Sequence, residues 1–372
     1  MRRRLESWSE WQIALAIEAA LRVFYSALAA VLSFYLHPDP ALIRSNALTE
    51  ALPRAGGWHY ALVGVWERFD TLWYLRIAGR GYDLPTAVVF YPLYPGLIRV
   101  CSRIVDPAAG ALLISTLAAY FYFWGLLSLA RSETAEPTPL RAVALAAVWP
   151  ASFFFYAGYT EALAAALIVW CIILARDGRW LPAATCALAA GLTRSAGTML
   201  VVPLVVMVWR GRGSGRWWVL LAPAGTLGYW LWLRQTGRLS VAAAYRAYWS
   251  TQVAAPWATL WRAIRSLADR FDALVAISLV AVLLFLVAGT FPRRRAAERW
   301  LSAAMIVHLL LRQCWPPLLG APRYLLPVYP AFLTMGEWTQ RMNRTRFVIL
   351  CATLFAFNLI WMWAFLNWSL VL

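Results

Sequence analysis

Residues 11–36 read WQIALAIEAALRVFYSALAAVLSFYL, a run in which only Glu18 and Arg22 carry charge. A helix that spans a bilayer needs about 20 mainly apolar residues. Ser26-Ala27-Leu28-Ala29-Ala30 has the small-residue look of a cleavage site, but the apolar stretch continues through Leu36. That is longer than the roughly 7–15 apolar residues of a signal peptide. The run therefore predicts an uncleaved first transmembrane helix, with Arg2-Arg3-Arg4 holding its N-terminus in the cytoplasm. Glu18 and Arg22 lie four apart on one helical face, a spacing that lets them pair and turns both into a bundle.

The pattern recurs outward from this run. Apolar runs fall at about 108–130, 140–150, 159–175, 181–192, 195–209, 217–236, 272–290, 300–313, 324–337 and 347–368. Several are shorter than a full span, which predicts tilted or broken helices bordering a cavity. Hydrophobic residues make up 62% of the 372 positions and charged residues 14%. Soluble domains average about 45–50% and about 25%, so this apolar excess excludes a soluble enzyme, a nucleic-acid-binding domain and a disordered chain. The sequence predicts an all-α polytopic membrane protein: one domain over residues 1–372 with about eleven transmembrane helices.

The net charge of +17 comes from 34 basic residues, all Arg, against 17 acids. Much of it lies in short clusters between apolar runs: Arg131…Arg141, Arg176-Asp177-Gly178-Arg179, Arg210-Gly211-Arg212, Arg293-Arg294-Arg295 and Arg341…Arg346. Placing these in the cytoplasm leaves 37–104, Pro150–Tyr159, 237–270 and Trp315–Arg323 outside. The outer loops also carry many Arg, which the topology rule does not explain. The 23 Trp fit interfacial belts and a carbohydrate or lipid groove. Cys101, Cys171, Cys186, Cys314 and Cys351, with His37, His59 and His308, show no CxxC pair or clustered ligand spacing, so no metal and no resident cofactor is expected.

The long first outer loop, 37–104, is the least helix-like stretch and the one expected to carry function. Within it, Ala87–Ile104 is short and contains Pro92 and Pro95, which predicts an interfacial or re-entrant helix rather than a span. Before that stretch comes Arg68-Phe69-Asp70-Thr71-Leu72-Trp73-Tyr74-Leu75-Arg76, then Ile77-Ala78-Gly79-Arg80-Gly81-Tyr82. A carboxylate flanked by aromatics and Arg at the membrane edge is a candidate general base, Asp70. The alternative is an ion pair with Arg68 or Arg76 that pins the loop. Tyr91 and Tyr94 of Val89-Phe90-Tyr91-Pro92-Leu93-Tyr94-Pro95 either line a groove for a polyprenyl chain or anchor at the interface. Pro150 breaks an apolar run, and Glu161 opens the next, where it contacts sugar hydroxyls or caps a helix start. Arg194 stands between two short apolar stretches, as a ligand or as a buried partner of Glu161. Arg323, beside Tyr324, sits where a lipid phosphate would lie, with snorkelling as the alternative. Arg270-Phe271-Asp272 repeats the Arg68-Phe69-Asp70 triplet without the Trp-Tyr that follows Asp70 and is read as chance. The glycan-type sequons at Asn343 and Asn367 carry no weight.

Taken together, these blocks resemble the PIG-V-like family of integral-membrane mannosyltransferases, within the GT-C glycosyltransferases. Arg68-Phe69-Asp70 with Trp73-Tyr74 and Ile77-Ala78…Gly81-Tyr82 is similar to that family's R-W-D-x-x-W/H-Y/F…I-A-x-x-G-Y pattern, with Phe69 where Trp is usual. Phe90-Tyr91-Pro92-Leu93-Tyr94-Pro95 resembles its F-F-P-x-[YF]-P. Pro150…Tyr159-Thr160-Glu161, Thr193-Arg194-Ser195-Ala196-Gly197 and Arg323-Tyr324-Leu325-Leu326-Pro327 resemble later blocks in the same order, over roughly residues 66–330. Residues 237–320 carry no block of the pattern, and acceptor choice is expected there, chiefly in 237–270.

The resemblance implies a GT-C-like bundle with interfacial helices in its first outer loop. It also implies transfer of a hexose, mannose by the family, from a polyprenyl-phosphate-linked donor to a lipid or glycolipid acceptor on the outer face. Asp70 maps onto the family's base. Arg68, Trp73, Tyr74, Arg76, Arg80, Tyr91, Tyr94, Glu161, Arg194, Arg323 and Tyr324 are the candidate substrate-binding residues, Arg323 with Arg76 or Arg80 being expected to stabilise the departing lipid phosphate, and inversion at the anomeric carbon is expected. The residues agree with this in lacking a D-x-D motif and a Gly-rich phosphate loop, which a nucleotide sugar would call for. The expected partners are the donor, the acceptor and membrane lipids, with no nucleic acid. The rival readings are a transporter or flippase of lipid-linked sugars, and a GT-C enzyme using a different polyprenyl-phosphate sugar. The transporter reading lacks the corresponding pair of interrupted helices that inverted repeats show.

Overall fold

Residues 8–46, 48, 56–210 and 215–369 are described in the computed structural model. Arg2-Arg3-Arg4 and Gly211-Arg212 of the predicted basic loops lie outside the described residues. In chain order the helices are α1 (Glu10–Ser33), α2 (Pro40–Asn46), α3 (Gly57–Leu62), α4 (Asp70–Arg80), α5 (Leu93–Cys101), α6 (Pro107–Glu133), α7 (Thr138–Val148), α8 (Glu161–Arg176) and α9 (Trp180–Thr193). There follow α10 (Val201–Arg210), α11 (Ala224–Gln235), α12 (Val241–Tyr248), α13 (Pro256–Asp269), α14 (Ala273–Gly289), α15 (Ala296–Leu310), α16 (Ala321–Tyr324), α17 (Tyr329–Thr339) and α18 (Arg344–Leu366). Two short strands, β1 (Gln252–Val253) and β2 (Arg312–Gln313), pair antiparallel.

The sequence marks many of these starts. Asp106 accepts from the amides of Ala108 and Ala109 ahead of Pro107, and Asp272 does the same for Leu274 and Val275. Each is an N-cap that satisfies amides with no partner inside the helix. Asn343, the first residue of a sequon, caps α18 through the Arg346 amide. Among the described residues three helices, α1, α6 and α18, are long and apolar enough to cross a membrane. Among the described residues, shorter apolar helices lie in four of the other predicted runs, at α7, α9, Ser195–Arg210 and α14. The chain is thus an all-helical polytopic membrane protein in which many apolar segments fall short of a full span. The breaks have visible causes. α7 stops at Val148 before Pro150, a 3-10 turn covers Ser152–Phe155, and α8 restarts at Glu161. Likewise α5 covers only nine residues, so the Pro-bearing 87–104 stretch holds a short helix rather than a span.

Two compact units divide the chain. The first comprises residues 1–81, 94–166 and 335–371, and the second 82–93 and 167–334. In the first unit, α1 packs along α6. Glu18 and Arg22 both turn inward as predicted, but no ion pair joins them among the described residues. The Arg22 guanidinium instead donates to the carbonyl oxygens of Tyr156 (2.9 Å) and Leu112 (3.4 Å) and lies 5.0 Å over the Tyr156 ring. Where the helix breaks, a main-chain carbonyl in an apolar interior needs a donor, and Arg22 supplies it. Tyr25 donates to Asn358 Oδ1 (2.8 Å), whose Nδ2 donates to Trp149 O and Ser152 Oγ, tying α18 to the same break.

In the second unit, Arg176 and Glu298 form a buried ion pair, to which the Tyr329 hydroxyl adds a hydrogen bond of 3.1 Å. The end of α9 is a sharp reversal. Arg194 is extended (φ −158°, ψ 149°), and a 3-10 turn over Ser195–Leu200 folds back onto the helix. A Cβ on Gly197 would sit 2.1 Å from the Ala190 carbonyl carbon, so only glycine fits. Gly197→Ala is expected to cost about 3 kcal/mol or more, as overpacking against rigid backbone does. A thermal melt of the purified protein checks it, and an unchanged Tm would show that the reversal is not tightly packed.

Candidate functional site

In the first unit the candidate residues gather around the start of α4. Trp66 and Arg68 are fully buried just before it. The Arg68 Nε donates to the Leu366 carbonyl (3.0 Å), Nη1 to the carbonyls of Gly64 and Glu67, and Nη2 to the Tyr60 hydroxyl (2.8 Å). Its guanidinium also stacks 5.0 Å from the Trp368 ring. Arg68 thus braces the loop against the chain's own groups, and among the described residues it forms no salt bridge with Asp70 or with Glu67. Phe69 follows with φ 49° and ψ −117°, a left-handed conformation rare for a side-chain-bearing residue. Its ring wedges against Phe365 (5.6 Å) and Trp368 (5.1 Å), which holds the strained turn. That turn aims Asp70 as the first residue of α4, half-buried, its amide donating to the Tyr159 hydroxyl at 3.2 Å.

Along α4, Trp73, Arg76 and Arg80 recur at i, i+3 and i+7 and so share one side of the helix. Trp73 and Arg76 are half-buried and Arg80 is exposed. Tyr74 points into the unit, where its hydroxyl meets Thr160 Oγ1 (3.4 Å) and its ring meets Tyr94 edge-on (5.0 Å). Tyr94 is fully buried, its hydroxyl bonded to Ala111 O and Ser115 Oγ, and Glu161 lies buried in the same neighbourhood. The structure therefore brings Asp70, Tyr74, Tyr94, Tyr159, Thr160 and Glu161 into one unit. Arg194, which the sequence offered as a partner for Glu161, belongs to the other.

Glu67 stands three residues before Asp70. Burial, reinforced by the Asp106 carboxylate and opposed by Arg68, raises its carboxyl from the usual 4.5 to about 7. Asp106 in turn lies 3.9 Å from His59 Nε2. Between those two values the folded protein keeps a proton that the unfolded chain releases. Stability contributed by this group is therefore lost as pH rises through the window and is gone above about 7. Glu67→Gln is expected to stabilise the protein by about 1–2 kcal/mol at pH 8 and to change little at pH 4.5. Melts at the two pH values test this, and equal shifts at both would refute it.

In the second unit three guanidinium groups converge on one ring. The Cζ atoms of Arg194, Arg323 and Arg312 lie 4.6, 4.8 and 5.0 Å from the centroid of Tyr324. Arg194 comes from the reversal after α9, and Arg323, buried, from the short helix α16 that follows Gly320 at φ 77°. Arg323 Nη2 also donates to the Tyr324 hydroxyl at 2.7 Å. Arg312 is fixed by the β1–β2 ladder, opposite Val253. Its guanidinium lies between Tyr324 and Tyr245 (5.9 Å), and its Nε is buried with no hydrogen-bond partner. Among the described residues Arg312 forms no ion pair. His308 of α15 sits in the field of Arg194 and Arg312.

Next to this cluster is an aromatic one. Tyr91 is buried, its hydroxyl accepting from Trp230 Nε1 (3.0 Å) and hydrogen-bonded with Ser195, which adjoins Arg194. Its ring packs on Tyr229 (4.9 Å), which meets Tyr82 (5.8 Å) and stacks on Trp232 (5.8 Å). Sequence reasoning selected Arg194, Arg323, Tyr324 and Tyr91 but passed over Arg312, Tyr245 and His308. The available signal was a lone Arg closing an apolar run just before Trp315-Pro316.

Such an arrangement can hold an anion. Like charges this close to one ring centroid repel by about 2 kcal/mol or more per pair at an effective dielectric near 20, and an anionic ligand offsets that cost. The planar guanidinium suits phosphate oxygens, and the tyrosine rings preorganise it. Among the described residues no group of three or more His, Cys, Asp or Glu stands ready for a metal ion.

No family model matches the chain, and no curated protein matches it. Among solved structures, the crystal structure of ArnT from Cupriavidus metallidurans bound to undecaprenyl phosphate aligns with 16% identity and a TM-score of 0.49. The alignment covers 91% of this chain and 64% of that one, so the chain spans under two thirds of that protein's length. A likeness at this level assigns neither a fold family nor an activity.

Proposed function

We propose that this protein is a membrane glycosyltransferase of GT-C type that moves a hexose from a polyprenyl-phosphate-linked donor to a hydroxyl of a lipid or glycolipid acceptor on the outer face of the membrane. The sugar is mannose by the motif resemblance. The observation that carries the reading is the convergence of Arg194, Arg312 and Arg323 on Tyr324, with Arg312 held between two rings and lacking a carboxylate partner. A lipid phosphate that gains charge as it leaves is the ligand such a group stabilises best.

The first unit supplies the other chemical requirement, a carboxylate at a strained helix start with Trp73 and Arg76 beside it. Asp70 takes the proton of the acceptor hydroxyl, whose oxygen bonds to the anomeric carbon. The bond from that carbon to the phosphate oxygen breaks, and the electron pair leaves with the polyprenyl phosphate. A single displacement of this kind inverts the anomeric centre. The aromatic cluster of Tyr82, Tyr91 and Tyr229 offers apolar faces to the donor.

The test is a turnover assay on the purified protein with a synthetic polyprenyl-phosphate mannose and extracted membrane lipids, products being identified by mass spectrometry. A lipid gaining one hexose supports the transferase. Movement of labelled donor across proteoliposomes without any covalent product would replace it with the transporter reading.

A further inference from the structure

The chance triplet Arg270-Phe271-Asp272 lies in a part of the second unit that the proposed chemistry leaves unused. There a cleft of about 740 Å³ is lined by Arg262, Arg265 and Arg270 together with Asp269 and Asp272, and by Phe271 and Trp315 among others. Three observations converge on it. The side chains of Arg262, Arg265 and Arg270 are exposed, and among the described residues none takes part in an ion pair, hydrogen bond or ring contact. Asp269, four residues after Arg265, forms no salt bridge with it, and the Asp272 carboxylate is occupied in capping α14. The cleft therefore presents three guanidinium groups against two carboxylates, and among the described residues no ion pair joins them.

The second observation is the helix itself. On α13 the buried side chains Thr259 and Ala263 define the face toward the unit. Trp257, Trp261 and Ile264 follow at i, i+4 and i+7 and are exposed by 75%, 64% and 49%. Arg262 and Arg265 project between that stripe and the buried face, since each residue advances about 100°. An aromatic stripe bordered by Arg is the arrangement that lies in a membrane interface, rings at headgroup level and guanidinium groups at the phosphates. Thirdly, the aromatic surface continues past the helix, with Phe271 and Trp315 exposed by 75% and 68% at the cleft. Exposed apolar area of this extent needs a cover, and the adjoining cationic groups give that cover a charge.

We propose that the cleft between the C-terminal turns of α13, the 270–273 link and Trp315–Pro316 binds the phosphate headgroup of an anionic glycerophospholipid, with the Trp257–Trp261–Ile264 stripe seated in the bilayer beside it. The proposal is independent of the transferase reading, since it concerns retention of a lipid and not turnover. Commitment to a lipid rather than a soluble anion follows from the stripe, which a free phosphate would leave uncovered.

Native mass spectrometry of the full chain, released from detergent with equal added phosphatidylglycerol and phosphatidylcholine, tests it. Wild type retains phosphatidylglycerol in preference. Arg262→Ala/Arg265→Ala/Arg270→Ala loses that preference, by roughly fivefold per arginine removed, while phosphatidylcholine retention stays the same. All three residues are exposed, so the variant folds. Arg344→Ala/Arg346→Ala, which removes exposed charge from α18, keeps the preference. Undiminished phosphatidylglycerol binding by the triple variant would overturn the proposal, as would equal loss in the α18 variant. Displacement of the lipid by millimolar inorganic phosphate would overturn the lipid as ligand.

Discussion

Asp70→Asn reduces hexose transfer by about 10²–10⁴-fold, the range that loss of a positioned general base produces. Asparagine keeps the size and polarity of the side chain but cannot take the acceptor proton at neutral pH. The supports around it survive the change. The contact to Tyr159 is made by the main-chain amide of residue 70, Phe69 stays wedged between Phe365 and Trp368, and Arg68 keeps its carbonyl and tyrosine partners. The variant should therefore melt with the wild type and bind donor as the wild type does. Equal consumption of donor by both proteins would remove Asp70 from the role of base. Lower turnover accompanied by a lower Tm would make it a structural residue instead.

Arg312→Ala is the second large effect. Removing one preorganised charge from a site that stabilises a developing anion lowers kcat by about 10²–10³. The donor carries less charge on its phosphate than the departing polyprenyl phosphate, so the loss falls more on kcat than on KM. Stability should move the other way or not at all. Among the described residues Arg312 has no carboxylate partner to lose, and its removal relieves repulsion with Arg323, which acts on it directly. Arg312→Lys keeps the charge but not the planar group that fits between Tyr245 and Tyr324, and its turnover should lie between the two. A residue there only for packing would give the opposite pattern, a lower Tm with unchanged kcat, and that pattern would withdraw the phosphate role.

The two effects come from different units and from signals of unequal legibility. Asp70 stands out in the sequence as a carboxylate flanked by Arg68 and Trp73, with an ion pair as its ordinary alternative, and the motif resemblance is what singles it out as a base. Arg312 does not, because an Arg closing an apolar run looks like any residue snorkelling to an interface. Its role emerges from a two-residue strand pairing with 252–253, sixty positions earlier, a contact that no local periodicity encodes. Glu18 and Arg22 show the reverse failure. Their spacing permits a pair, but carbonyls exposed by the break near Pro150 compete for the guanidinium, and that competition is long-range. Arg68 looks equivalent to Arg76 in the sequence, yet burial against Tyr60 and Trp368 gives it a different task.

By itself the sequence determined that this chain is helical and membrane-embedded. Hydropathy and composition act locally, each apolar run having to satisfy its own backbone hydrogen bonds in lipid, and a helix does so within one segment. It also determined where those helices break, since Pro150 and the Pro92–Pro95 pair act on their own neighbours. Tertiary structure alone decided which charged groups meet. It turned Arg68 inward as a brace and left Glu18 and Arg22 unpaired. It also drew Arg194, Arg312 and Arg323 from three separate segments onto the ring of Tyr324. Electrostatic neighbours are set by the folded path of the chain, and in an apolar interior a charged side chain goes to whichever partner that path brings within a few ångströms.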